Sequence, residues 1–89
     1  MTTAHLEIKG KVQGVFYRAT ASRIAEKNNL KGWIKNKNSG EVEIVVTGKK
    51  EDVETFIDWC RHGPEKAVVD EVNITFLKET LFKEFSVKR

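Results

Sequence analysis

The chain has 89 residues, of which 39% are hydrophobic and 33% are charged, and its net charge at pH 7 is +3. This length accommodates one hydrophobic core, so we expect a single globular domain spanning residues 1–89 with a shallow site, and the composition excludes a disordered or fibrous chain. One cysteine and two histidines exclude an intrachain disulfide and a Cys-rich metal site, while the mild positive charge favours an anionic ligand.

The first half of the chain predicts a strand, a helix and a hairpin. Apolar and polar residues alternate from Ala4 to Val12, which is typical of a strand with one face in water. From Arg18 to Asn29 the apolar residues recur at helical spacing. Two further strands, Lys31–Lys37 and Glu41–Gly48, flank the turn residues Asn38-Ser39-Gly40, and this arrangement predicts a β-hairpin.

The second half predicts another helix and one or two strands. The segment from Glu51 to His62 has the most regular helical stripe in the chain, and Gly63-Pro64 ends it. Alternation resumes from Val68 to Leu77, where Phe76 belongs to the apolar face. Residues Phe85–Val87 are compatible with a short last strand. This order predicts an α+β fold, a ferredoxin-like βαββαβ sandwich with a mostly antiparallel sheet and two helices on one face.

The loop before the first helix carries the strongest sign of a binding site. A helix N-terminus has about four unpaired N–H groups, which a Ser, Thr, Asp or Asn side chain normally caps. No such residue stands between Gln13 and Arg18, and the helix opens with a cation that opposes its dipole. A bound phosphate would satisfy both, with Gly14 supplying a permissive backbone. The alternative is that Arg18 is a solvated surface side chain and Gly14 a simple turn.

Two motifs resemble the signatures of the acylphosphatase family. Gly10–Arg18 resembles the family's first signature loop, and Gly32–Asn36, followed by Gly40, Val42 and Gly48, resembles its second. The resemblance covers essentially the whole chain. It implies a ferredoxin-like hydrolase that cleaves the carboxyl–phosphate anhydride of acyl phosphates, without a metal or cofactor.

The resemblance also implies the roles of individual residues. Arg18 binds the phosphoryl group, and Asn36 positions the attacking water. The backbone N–H groups that complete the phosphate site are those of Gly14, Val15, Phe16, Tyr17 and Arg18. Phe16 stands where many members of the family have glycine. Because a carboxylate leaves with a conjugate-acid pKa of ~4, such a sparse site needs no general acid for this substrate.

Partners and location follow as expectations. We expect an acyl phosphate and inorganic phosphate as ligands, no nucleic acid, no membrane, and a cytoplasmic monomer, because Met1–His5 does not begin a secretory signal. Cys60 lies on a helical apolar stripe and is interpreted as a core thiol. The alternative function is a non-catalytic, anion- or small-ligand-binding regulatory module. The lysines that form either a basic rim or a solvated face are Lys9, Lys11, Lys35 and Lys37.

Overall fold

The predicted order of strands and helices is confirmed by a computed structural model, which describes residues 1–89. Five strands form one sheet, and two helices pack on one of its faces. The strands are β1 (Thr2–Lys11), β2 (Lys31–Asn36), β3 (Val42–Gly48), β4 (Val68–Leu77) and β5 (Phe85–Lys88), and the helices are α1 (Tyr17–Lys27) and α2 (Lys50–Cys60). Neither helix has the length and apolar character needed to cross a membrane.

The sheet topology brings three chain segments together at one end of the sheet. The strand order is β4-β1-β3-β2-β5, with antiparallel pairing throughout except between β2 and β5, which are parallel. Ile8 of β1 pairs with Val42 of β3, and Val42 pairs with Asn36 of β2. Strands β1, β2 and β5 therefore run in the same direction. The same end of the sheet holds the loop that follows β1, the last residue of β2 and the end of β5.

The hydrophobic core lies between the helices and the inner face of the sheet. The alternation predicted for β1 is confirmed from Ala4 to Ile8, since Ala4, Leu6 and Ile8 are fully buried, but it is interrupted between Lys9 and Gly10, where the register shifts and Gly10 is exposed. Phe56 and Cys60 of α2 are fully buried against the three buried residues of β1 in one cluster of 18 residues. Burying each large apolar side chain contributes about 1.5–3 kcal/mol, so this single cluster carries most of the hydrophobic stabilisation.

The prediction for the apolar face of β4 was wrong at Phe76. This side chain is 64% exposed, whereas Val72 and Ile74 of the same face are half-buried against the core. The reason is that β4 is an edge strand and pairs only with β1. The helices pack mainly on the other strands, so alternation along β4 does not translate into full burial.

Glycine is required where β2 begins. Gly32 has φ 139°, a backbone conformation that side chains rarely adopt, and a Cβ there would overlap the carbonyl oxygen of Val45 on β3. This close approach lets β2 pair with β3 over its whole length, from Lys31 to Asn36. The pairing fixes the position of Asn36 relative to β3.

Candidate active site

A cleft lies where the loop after β1 meets the end of β2. Its volume is about 270 Å³, and Arg18 and Asn36 both contribute to its wall. The structure thus brings together the two side chains that were predicted to act on phosphate and water. Val15 does not line the cleft, because its side chain is buried in the core. The complete lining is Val12, Gly14, Phe16, Tyr17, Arg18, Ala19 and Asn36.

The backbone N–H groups around the start of α1 are unpaired within the protein. From Gly14 to Ala19, no N–H donates to a protein acceptor, and the first that does is that of Thr20, 3.1 Å from the carbonyl oxygen of Phe16. No side chain caps the helix, and its first turn contains no acidic residue. The positive end of the helix dipole and these free donors therefore meet at the cleft, as they do in anion-binding sites at helix N-termini.

The backbone of the loop turns through left-handed conformations. Gly14 has φ 74°, and Phe16, the residue that precedes α1, has φ 65°. A side chain in this conformation costs roughly 1–2 kcal/mol, whereas glycine adopts it freely. The backbone conformation at Phe16 is therefore one that glycine would adopt with less strain. In this chain the ring points away from the core and is 77% exposed at the cleft.

The guanidinium group of Arg18 carries a charge that no carboxylate neutralises. Its Nη1 donates a long hydrogen bond of 3.3 Å to the carbonyl oxygen of Lys88 in β5, and it belongs to none of the six ion pairs. Arginine has five N–H donors, so most of them remain free. Arg18 can therefore bind an anion with a planar pair of hydrogen bonds.

Asn36 has the one buried side-chain polar atom in the chain without a protein partner. Its Oδ1 atom is buried and accepts no hydrogen bond from the protein. Leaving a buried acceptor unsatisfied costs about 1–3 kcal/mol, so such atoms are rare and often mark functional sites. Asn36 also lines the cleft, so the residue with the unsatisfied acceptor borders the space in which a ligand would bind.

Most of the lysines near the site are neutralised, so the interpretation of a basic rim is not supported. Lys9 and Lys35 each lie 3.8 Å from a glutamate oxygen, and Lys37 lies 2.7 Å from another. Only Lys11 among the four takes part in no ion pair. The positive charge at the cleft is accordingly concentrated in Arg18.

Tyr17 anchors the first turn of α1 to the end of α2. Its hydroxyl donates a hydrogen bond of 2.7 Å to the carbonyl oxygen of Cys60, and its ring lies 5.3 Å from that of Trp59. Burial raises the pKa of Tyr17 well above its usual range, so the phenol remains a neutral donor. Burial also raises the pKa of Cys60 to about 12, which keeps this thiol protonated and agrees with its predicted place in the core.

Replacing Tyr17 by phenylalanine should destabilise the fold. The ring would keep its packing, but the buried carbonyl oxygen of Cys60 would lose its donor, which costs about 1–3 kcal/mol. For a domain of this size, each kcal/mol lowers Tm by roughly 4–8 °C. Thermal unfolding of the Tyr17→Phe variant measures this loss, and an unchanged Tm would show that the hydrogen bond contributes nothing.

Comparison with known proteins identifies the family. The sequence model of the acylphosphatase family matches residues 4–87. The acylphosphatase of Syntrophus aciditrophicus is 41% identical over 96% of this chain and 86% of the relative. The crystal structure of acylphosphatase from Bacillus subtilis matches all of both chains with a TM-score of 0.96 at 28% identity. The match to the structure of an acylphosphatase from Coxiella burnetii covers 98% of this chain and 92% of that protein, with a TM-score of 0.94 at 36% identity.

The chain therefore belongs to the acylphosphatase family, and the predicted ferredoxin-like fold is confirmed. Its activity is that of an acylphosphatase, a hydrolase that acts on the acid anhydride bond of acyl phosphates. These matches favour the enzyme over the alternative of a non-catalytic binding module.

Proposed function

We propose that the chain hydrolyses acyl phosphates by direct attack of a water molecule that Asn36 positions, on a phosphoryl group that Arg18 and the loop from Gly14 to Arg18 hold. The observation that supports this mechanism is that residues of one cleft carry three groups with unused hydrogen-bonding capacity. These are the backbone N–H groups at the start of α1, the guanidinium of Arg18 and the buried Oδ1 of Asn36. The first two attract an anion, and the third can accept a hydrogen bond from water.

The loop and Arg18 stabilise the negative charge of the transferred group. Phosphoryl transfer passes through a loose transition state whose charge is spread over the three equatorial oxygens of phosphorus. The N–H groups at the start of α1 and the fork of Arg18 supply several donors for these oxygens. Such preorganised donors are effective in a partly dry cleft because they do not reorganise during the reaction.

Asn36 orients the nucleophile without acting as a base. An amide oxygen accepts a hydrogen bond from water but does not take its proton. With one O–H held by Oδ1 of Asn36, the lone pair of the water is directed at phosphorus. The new bond forms between the water oxygen and phosphorus, the proton passes to a phosphoryl oxygen, and the bond between phosphorus and the acyl oxygen breaks with its electron pair on the carboxylate.

The leaving group makes a general acid unnecessary. No Asp, Glu or His lines the cleft. An acyl phosphate releases a carboxylate, whose conjugate acid has a pKa of ~4, so the leaving oxygen needs no proton at neutral pH. A phosphate ester releases an alkoxide, which is far more basic and usually needs an acid or a metal. The residues of this cleft suit the first substrate and not the second.

We also propose that residues 1–89 act as one domain and as a cytoplasmic monomer, without a metal or cofactor and without a nucleic-acid or membrane partner. The single cluster of 18 buried residues supports one domain. Inorganic phosphate, the product, should bind to the same loop and Arg18 as the substrate.

A direct assay tests the proposed reaction. The purified protein should release phosphate from benzoyl phosphate at the same rate with and without EDTA, since no step uses a metal. Glycerol phosphate, an alkyl ester of phosphoric acid, serves as the matched substrate and should not be cleaved. Absence of turnover on benzoyl phosphate would refute the proposed function, and loss of turnover in EDTA would refute its metal-free mechanism.

A further inference from the structure

Gln13 joins the two halves of the candidate active site. It is the residue before Gly14, and its side-chain amide reaches across to the turn between β2 and β3. Nε2 donates one hydrogen bond of 2.8 Å to the carbonyl oxygen of Lys37 and another of 2.9 Å to that of Glu41. Lys37 directly follows Asn36. One amide group therefore connects the loop that holds phosphate with the strand end that carries the water-positioning side chain.

We propose that Gln13 is a positioning residue for the reaction, setting the distance between the phosphate loop and Asn36. The inference rests on the proposed function, because it assigns Gln13 to the alignment of water and phosphorus. The side chain has two N–H donors on Nε2, and each is used by one of the two carbonyls. No hydrophobic residue can make this connection, and a carboxylate of the same shape has no donor.

The connection matters because the cleft is built from separate chain segments. Asn36 pairs with Val42 in the sheet, but that pairing does not fix it relative to the loop after β1. The turn is also held by Lys37, whose Nζ lies 2.7 Å from Glu7 and 3.3 Å from Glu41. Those side chains are partly exposed, and such ion pairs are weak and screened by salt. The amide of Gln13 is neutral, so its two hydrogen bonds do not depend on an ion pair.

Replacing Gln13 by methionine, which keeps the length of the side chain, should lower kcat for benzoyl phosphate by about 10- to 100-fold, because an error of about 1 Å in alignment has an effect of this size. The inhibition constant of inorganic phosphate should change by less than about twofold, because the loop and Arg18 remain. If Gln13→Met does not fold, Gln13→Glu makes the same test with a carboxylate. Loss of phosphate binding in step with kcat would overturn the inference.

A double-mutant cycle separates positioning from a general loss of stability. In the Asn36→Ala background, Gln13→Met should lower kcat by less than about threefold, since the side chain that it aligns is already gone. An equal loss in both backgrounds would show that Gln13 acts independently of Asn36 and would overturn the inference. If Asn36→Ala alone leaves turnover intact, the proposed role of Asn36 fails first, so the two failures are distinguishable.

The matched control removes similar hydrogen bonds at the other end of the hairpin. Thr47 pairs with Lys31 at that end. Its Oγ1 donates to the carbonyl oxygen of Thr80 over 2.8 Å and also forms a hydrogen bond of 2.8 Å with Oγ1 of Thr3, so the control loses two hydrogen bonds, as Gln13→Met does. Thr47→Val should lower Tm as Gln13→Met does, while kcat stays within about twofold of the original. A comparable fall of kcat in the Thr47 variant would show that any weakening of the sheet slows the reaction and would overturn the specific role of Gln13.

Discussion

Replacing Arg18 by alanine should reduce kcat/KM for benzoyl phosphate by at least about 10²- to 10³-fold. Removing one preorganised donor from a charge-stabilising site has an effect of this size, and Arg18 contributes both several donors and a full charge. No lysine lines the cleft, so none is placed to compensate for the lost guanidinium. The inhibition constant of inorganic phosphate should rise as well, since the same side chain binds the product.

Arg18→Lys should lose nearly as much activity as Arg18→Ala. Lysine keeps the charge, but it lacks the planar pair of donors that matches two phosphoryl oxygens. Arg23→Ala is the matched control, since Arg23 lies on the same helix, is exposed and takes part in no ion pair. Its turnover should equal that of the unchanged protein. Activity close to the original in Arg18→Lys would show that charge alone suffices and would contradict bidentate binding.

Much of the fold could be predicted because its signals are local. Alternation along β1 and the helical stripe of α2 each follow from a few neighbouring residues, and both were correct in type, with each helix ending two residues earlier than predicted. Burial on β4 was not predictable in the same way. The exposure of Phe76 depends on the strand order, which places β4 at an edge, and no local pattern contains that information.

The candidate site was likewise predictable only where its signals are local in the sequence. The uncapped helix start and Arg18 were visible as a local pattern, and the role of Asn36 was implied only by family resemblance. The structure adds that both line one cleft. The roles of Gln13 and Tyr17 in holding the site together were missed, because their hydrogen-bond partners lie 24 to 43 residues away along the chain. Gln13 lies within the Gly10–Arg18 segment that resembles the first signature of the family, but that resemblance assigned no role to its side chain.

Replacing Asn36 by alanine should lower kcat by about 10²-fold while leaving the inhibition constant of inorganic phosphate nearly unchanged. Asn36 acts on the water, and the loss of its alignment affects the attack but not the binding of the anion. Asn38→Ala is the matched control, because Asn38 lies two residues further along, is exposed and makes no hydrogen bond through its side chain. Its turnover should remain at the original level.

The stability of the Asn36→Ala variant provides an independent check on the same assignment. Oδ1 of Asn36 is a buried acceptor without a protein partner, so its removal takes away a destabilising group. We therefore expect Tm to stay the same or rise while kcat falls, as occurs where a group is kept for function at the expense of stability. A lower Tm together with weaker phosphate inhibition would mean that Asn36 supports the loop instead of the water.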